Sequence, residues 1–266
     1  MNINITIGQF YPIDSKIHRL DPRVKLLAVF TYVIFLFMST NMWGYICGAI
    51  SLGIVITMSN VPPKYMFKGL KNILGIILFT VVLNIFFVPG ENVIFSVGII
   101  TLTMEGIYTA GKMACRLILL IVASSILTLT TSPIELTDGI EYALKPFKRL
   151  GVPSHEIAMM MTIALRFIPT LMEEVDKIMK AQIARGADFD TGNIMQKAKS
   201  LIPLLVPLFI SSFRRADELA LAMEARCYQG DVNRTRMKEL KLEQRDYVFL
   251  ICLLVAGSGI ILTRFI

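Results

Sequence analysis

Two arginines in matching surroundings are the first candidates for chemistry. Arg185 lies in Ala181-Gln182-Ile183-Ala184-Arg185-Gly186, and Arg226 lies in Ala222-Met223-Glu224-Ala225-Arg226-Cys227. Both stretches read A-x-x-A-R-small. Small neighbours let another backbone come close, and a guanidinium there can make a forked, charge-assisted pair with a carboxylate. Acidic clusters precede both, Glu173, Glu174 and Asp176 before the first, Asp217 and Glu218 before the second. An Arg in a last helical turn also complements the helix dipole, worth ~0.3–1 kcal/mol. That accounts for either site alone. The repetition favours two equivalent tips for a partner with two equivalent grooves.

Other residues that could do chemistry lack the company they need. Gly106 to Met113 matches G-x4-G-K, but Met113 stands where a phosphate-binding loop places Ser or Thr for magnesium. No ATP hydrolysis by this chain is expected, and no catalytic residue is assigned. His18 and His155 are the only histidines and lie far apart. Cys47, Cys115, Cys227 and Cys252 are scattered, with no CxxC pair. No metal site and no cofactor are expected. Lys112 and Arg116 stand four apart inside an apolar run, where charge is costly. They read as a buried structural pair or snorkelling side chains, or else as a contact with a partner membrane protein.

The elements that position these residues follow from composition. Of 266 residues 55% are apolar and 18% charged, below the ~25% charged of soluble domains. Disorder, a fibre and a disulfide scaffold are excluded, and an ordinary soluble enzyme is disfavoured. Apolar runs at 24–40, 42–58, 73–88, 106–130 and 246–263 predict about five membrane spans. The third is short and could extend back to Leu70. Lys16, Arg19, Arg23 and Lys25 precede or edge the first run, Lys64, Lys68 and Lys71 precede the third, and seventeen basic residues separate the fourth from the fifth. The intervening connections 1–2 and 3–4 hold no Lys or Arg. The positive-inside rule then puts the N-terminus inside and the C-terminus outside, with Arg264 the lone basic residue beyond the last span. The net charge of +7 therefore bears on topology rather than on nucleic acid, and no nucleic-acid partner is expected. The expected fold is an all-α polytopic membrane protein: a membrane domain 1–131 with four spans, cytoplasmic coupling helices 132–245, and a final transmembrane helix 246–266. Segment 89–105 holds a β-like run from Val93 to Thr103, read as a short external element or a re-entrant stretch. The basic run 234–245 reads as a flank of the last span that could touch anionic lipid headgroups.

Within 132–245 the pattern is helical. Ser132 as N-cap and Pro133 in the first turn predict a short helix to about Arg149, bent or ended early by Pro146. A second helix is predicted from Pro153 or Ser154 to Arg185, and a third from after Gly192 to about Gln229. Pro169, Pro203 and Pro207 should bend them. Both long helices are apolar in their first halves, Ile157 to Leu171 and Leu201 to Phe213, and charged in their second halves. So much apolar face implies a partner surface or the bilayer interface.

Together these residues resemble a known family. Ser15 to Leu20 followed by Asp21-Pro22-Arg23-Val24-Lys25-Leu26 looks like the opening signature of the transmembrane T component of energy-coupling factor (ECF) transporters. Leu165-Arg166-Phe167-Ile168-Pro169 resembles the family's run at the start of a coupling helix, and the two tips resemble its paired Ala-Arg-Gly motifs. Cys227 departs from that pattern at the small position. The resemblance implies a non-catalytic coupling subunit in a bacterial cell membrane, joining two ABC-type ATPase subunits to a small substrate-binding membrane protein for vitamin or metal uptake. It implies that Ala184, Arg185 and Gly186, with Ala225, Arg226 and Cys227, dock the ATPases. It implies also that Met159, Met160, Met161, Arg166, Pro169, Pro203 and Pro207 belong to the platform facing the substrate-binding protein. Methionines suit such a surface because they repack against different partners. A stand-alone secondary carrier is the competing reading, with Lys112 and Arg116 its only support. A conventional importer permease fits less well, since Glu224-Ala225 is all that resembles its coupling loop.

Overall fold

A computed structural model describes residues 10–89, 92–97, 100–187, 189, 193–230 and 241–263. The chain divides into two compact units, Met1–Ala143 with Glu239–Ile266, and Leu144–Lys238.

The first unit is a helical bundle. Asp21 caps α1 (Pro22–Met38), its carboxylate accepting from the Arg23 amide at 2.9 Å while Pro22 fills the first turn. The second part of the signature stretch, from Asp21 on, is thus a helix start. After the turn at Ser39–Asn41 the chain enters α2 (Met42–Ser59). Helix α3 (Pro63–Phe87) starts ten residues ahead of the apolar run at 73, and it bends by 58° between Pro63–Lys71 and Ile73–Phe87. The β-like run is a hairpin, β1 (Val93–Val97) antiparallel to β2 (Ile100–Thr103), with Val93 opposite Thr103 and Val97 opposite Ile100. Thr103 then caps α4 (Met104–Thr130) by accepting from the Gly106 amide at 3.0 Å. The G-x4-G-K look-alike therefore lies in helix, where no phosphate loop can form.

Helix α4 packs on α1, α2 and α3, and α8 (Gln244–Leu262) packs on α1 and α2. The core between them includes Tyr32, Leu36, Tyr45, Leu52, Leu119 and Ile126. At Gly257 α8 comes so close to α1 that a Cβ would lie 1.9 Å from the Phe35 ring. Small residues at such crossings let membrane helices approach. On α1 the buried residues Val24, Ala28, Tyr32 and Leu36 recur every four, while Leu27, Phe30, Ile34 and Phe37 are exposed on the other face. An outer surface this apolar belongs in hydrocarbon rather than water. Among the described residues α2, α4 and α8 are long and apolar enough to cross a bilayer, and bent α3 makes a fourth if its two arms count as one span. Helix α1, the first of the five expected spans, has 17 residues, which rise about 26 Å against a ~30 Å hydrocarbon core.

Ser132 caps α5 (Pro133–Leu144), as the sequence predicts, and Glu135 completes a reciprocal capping box. Pro146 then ends the α-helix early, and 145–150 tighten into a 3₁₀ turn that stops at Gly151 with φ 86°. Of the two units, the bundle holds α5 up to Ala143. Two contacts hold it there: Gly139 sits against Pro22, and the Arg23 guanidinium lies 4.1 Å from the Tyr142 ring centre.

The second unit is built on α6 (Ser154–Ala184) and α7 (Ile194–Ala225), which pack on each other. Both run on through their internal prolines. Asn193 caps α7, its amide donating to Gln196 Oε1 at 3.1 Å in a capping box. Helix α7 ends four residues short of the expected Gln229, because Cys227 leaves the helical region. The expectations at Gly192, at 234–240 and at Arg264 lie outside the described residues.

Candidate docking site

The two A-x-x-A-R-small stretches fold into the same object. At the end of α6 the Gly186 amide donates to the Ile183 carbonyl at 2.9 Å, and the Ala187 amide donates to Gln182 at 3.0 Å. At the end of α7 the Cys227 amide donates to Glu224 at 2.8 Å, and the Tyr228 amide donates to Met223 at 3.0 Å. Each is a complete Schellman closure, which satisfies helix carbonyls that would otherwise be orphaned. The closure requires its penultimate residue in the left-handed region, and Gly186 (φ 85°) and Cys227 (φ 57°) are both there. The small position of the motif is therefore a backbone requirement. Gly meets it without strain, whereas Cys meets it at a cost because of its Cβ.

In both turns the Arg is the residue just before the left-handed one, at φ −88° for Arg185 and −94° for Arg226. Ala184, Arg185 and Gly186 are exposed, as are Ala225, Arg226 and Cys227. Among the described residues neither guanidinium makes an ion pair. Each turn thus presents a free cation among small residues, able to fork onto a carboxylate of another chain.

An ion pair that the sequence did not single out registers the two helices. Arg215 Nη2 on α7 donates to Glu174 Oε2 on α6 at 2.7 Å. The Ser211 hydroxyl and the Arg215 guanidinium together hold the Glu174 carboxyl below the usual carboxylate range. Eleven residues separate Glu174 from Arg185, and eleven separate Arg215 from Arg226. Each tip therefore stands about 16 Å along its helix from the same crossing pair. The pair was legible as an equal offset of two opposite charges ahead of the two motifs.

The remaining candidates of this unit are dispersed. Met160 is 58% exposed, while Met159 and Met161 are half-buried, since successive residues of a helix point about 100° apart. Arg166, Pro169, Pro203 and Pro207 are exposed. Pro203 and Pro207, four apart, lie in an apolar stretch of α7 whose Leu201, Val206, Phe209 and Phe213 are also exposed.

In the bundle, Lys112 and Arg116 cap the α1–α2 turn. Arg116 donates to the Tyr45 hydroxyl at 2.6 Å and to the Ser39 carbonyl at 3.4 Å, and Lys112 reaches the Thr40 carbonyl at 3.5 Å. These bonds fit the structural reading of the two residues. At the opposite end of α1 a buried polar node joins three helices. The Lys25 ammonium donates to the carbonyls of His18 and Thr130, both at 2.9 Å, tying α1 to the end of α4. Asp246 accepts from the Asp21 amide at 3.0 Å and from the Glu243 amide at 2.8 Å, tying α1 to the start of α8. Lys25 and Asp246 are only 4% and 3% exposed, so their charges need these partners. Asp246 escaped the sequence reading because an acidic residue in a first helical turn is ordinary. Its neighbour His18 is a structural residue: the Ser15 hydroxyl donates to Nδ1 at 2.7 Å, Nε2 donates to the Tyr11 carbonyl at 3.1 Å, and burial pushes its pKa down.

Comparison with known proteins supplies the family. Residues 14–238 match CbiQ, the cobalt transport protein family. The energy-coupling factor transporter transmembrane protein EcfT of Clostridium kluyveri is 59% identical over 262 residues, covering 98% of this chain and 97% of its own length. Its namesakes in Thermosediminibacter oceani (98% of each chain covered) and Lactococcus lactis (97% of each) are 56% and 44% identical. With a multi-helix membrane bundle, two matching helix tips and relatives that span its whole length, the chain belongs to the CbiQ family of transport proteins and is a transmembrane component of an energy-coupling factor transporter.

Proposed function

We propose that this chain couples two ATP-hydrolysing subunits of the ABC type to a small substrate-binding membrane protein, for uptake of a vitamin or a metal ion. The observation that carries the reading is the pair of identical helix closures. Each presents an Arg that makes no ion pair among the described residues, at the same distance from the Glu174–Arg215 pair. Equivalent tips suit two equivalent grooves. Ala184, Arg185 and Gly186 serve one ATPase, and Ala225, Arg226 and Cys227 serve the other. ATP is hydrolysed by those subunits, and this chain transmits the motion through α6 and α7. The exposed apolar surface of α6 and α7, with Met160, Arg166, Pro169, Pro203 and Pro207, faces the substrate-binding protein, and Met159 and Met161 support it.

The bundle sits in the bacterial cell membrane with α1 as the fifth span, the N-terminus and 132–245 inside and the C-terminus outside. The alternation of basic residues supports this orientation. The stand-alone carrier loses its one support, since Lys112 and Arg116 are engaged by the α1–α2 turn.

Charge reversal tests the docking. Arg185→Glu or Arg226→Glu leaves a carboxylate facing a carboxylate, and each should weaken ATPase co-purification by roughly 2–5 kcal/mol. Uptake should fall with it in cells. A double variant that purifies with both ATPases and transports normally would overturn the proposal.

A further inference from the structure

A cavity of about 900 Å³ opens among α1, α2, α4 and α8. Of these helices it is lined by the halves near the α1 start, Lys25 to Tyr32 of α1, Ser51 to Met58 of α2, Ala123 to Thr130 of α4 and Arg245 to Ala256 of α8, and the segment before α1 lines it as well. The eleven steps from Arg245 to Ala256 on α8 rise about 16 Å, which is half of a ~30 Å hydrocarbon core. At the deep end Tyr32 ties α1 to α2 by donating to the Gly48 carbonyl at 3.0 Å. The walls are apolar, formed by Ala28, Leu52, Ala123, Phe249 and Leu253 among others.

The mouth is basic. Lys16, Arg19 and Arg245 border it beside a single lining carboxylate, Asp14. Arg19 Nε holds Asp14 at 2.8 Å, and Arg245 pairs with Glu243. Both pairs are exposed, with side chains 46–73% accessible, and pairs of that kind hold weakly and exchange readily. Lys16 makes no ion pair among the described residues.

We infer that this cavity is a binding site for one anionic phospholipid, whose phosphate rests on Lys16, Arg19 and Arg245 and whose acyl chains fill the space down to Tyr32. Depth decides between occupants. A transmembrane helix of a partner needs a groove through the whole core, whereas an acyl chain reaches only mid-bilayer. Charge decides the headgroup, because three exchangeable cations at headgroup level select an anionic lipid over a zwitterionic one. The bound lipid fills the space beside the Lys25–Asp246 node and so supports the start of α8, where the chain re-enters the bundle.

The test is native mass spectrometry of the full chain released from detergent, with dipalmitoyl-phosphatidylglycerol or dipalmitoyl-phosphatidylcholine added. Wild type should retain one phosphatidylglycerol and prefer it to phosphatidylcholine. The exposed triple variant Lys16→Ala, Arg19→Ala, Arg245→Ala should weaken phosphatidylglycerol binding by roughly a hundredfold, at about fivefold per cation. Ala256→Phe, which narrows the deep end, should weaken both lipids. If that variant fails to fold, the surface triple still decides. Equal affinity for the two lipids, an unchanged triple variant or no retained lipid would each overturn the proposal. So would displacement by glycerol 3-phosphate as effective as by the lipid, which would leave an anion site without an acyl chain.

Discussion

Replacing Cys227 by Gly should tighten the second helix tip. Cys227 holds φ 57°, and a left-handed residue with a Cβ costs roughly 1–2 kcal/mol. Gly removes that cost but gives the unfolded chain extra freedom, worth about 0.4–1 kcal/mol. The net gain is about 0.5–1 kcal/mol, a two- to fivefold shift toward the closed turn. The quantity to measure is amide hydrogen exchange of Cys227 and Tyr228, whose N–H groups make the two closing bonds. In Cys227→Gly the position 227 and 228 amides should exchange two- to fivefold more slowly. The mirror experiment is Gly186→Ala. No atom lies within 4 Å of a Cβ built at Gly186, so the substitution meets backbone strain alone. Because Ala also restricts the unfolded chain, the net cost is about 0.5–1 kcal/mol, and exchange at positions 186 and 187 should speed roughly two- to fivefold. Faster exchange in Cys227→Gly, or unchanged exchange in Gly186→Ala, would refute the argument that the small residue serves the backbone.

Three further outcomes follow from the same geometry. Arg116→Ala should lower the thermal stability of the purified chain by about 1–3 kcal/mol, because it strips the Tyr45 hydroxyl of a charged donor and leaves the Ser39 carbonyl with the Tyr45 hydroxyl alone. Lys112→Ala should cost less, its 3.5 Å contact being at the limit of a hydrogen bond. Asp246→Ala should cost about 2–4 kcal/mol in the same thermal assay, since two amides lose a buried charged acceptor, and Asp246→Asn should recover part of it. The Glu174–Arg215 lock should survive mild acid. Its carboxyl is held below the usual carboxylate value, so its contribution is complete above the ordinary Glu pKa near 4.3 and is lost as pH falls through the lowered one. Cross-linking between cysteines introduced on α6 and α7 should therefore be constant from pH 7 to 5, and a loss already at pH 5.5 would contradict the assignment.

Local signals in the chain were enough for much of this. Hydropathy marked the apolar runs that became α2, α4 and α8, because a bilayer demands long unbroken apolar helices. Ser132, Pro133 and Pro146 announced where α5 starts and where it stops, because capping and a missing amide act within one turn. The repeated A-x-x-A-R-small pattern announced the tips for the same reason: a Schellman closure is made by six consecutive residues. What only the tertiary structure decided are the meetings of residues distant in the chain. Lys25 reads as one more inside charge until the Thr130 carbonyl is found beneath it. Asp246 reads as a first-turn acid until the Asp21 amide is found 225 residues away along the chain. Arg116 reads as a structural residue or a partner contact, and only the fold shows the Tyr45 hydroxyl and the Ser39 carbonyl accepting its hydrogen bonds. The grouping of α5 with the bundle, the bend of α3 and the half-depth cavity are likewise products of packing. Helix periodicity records which faces are apolar, but which helix each face meets depends on volumes and polar partners summed over the whole bundle.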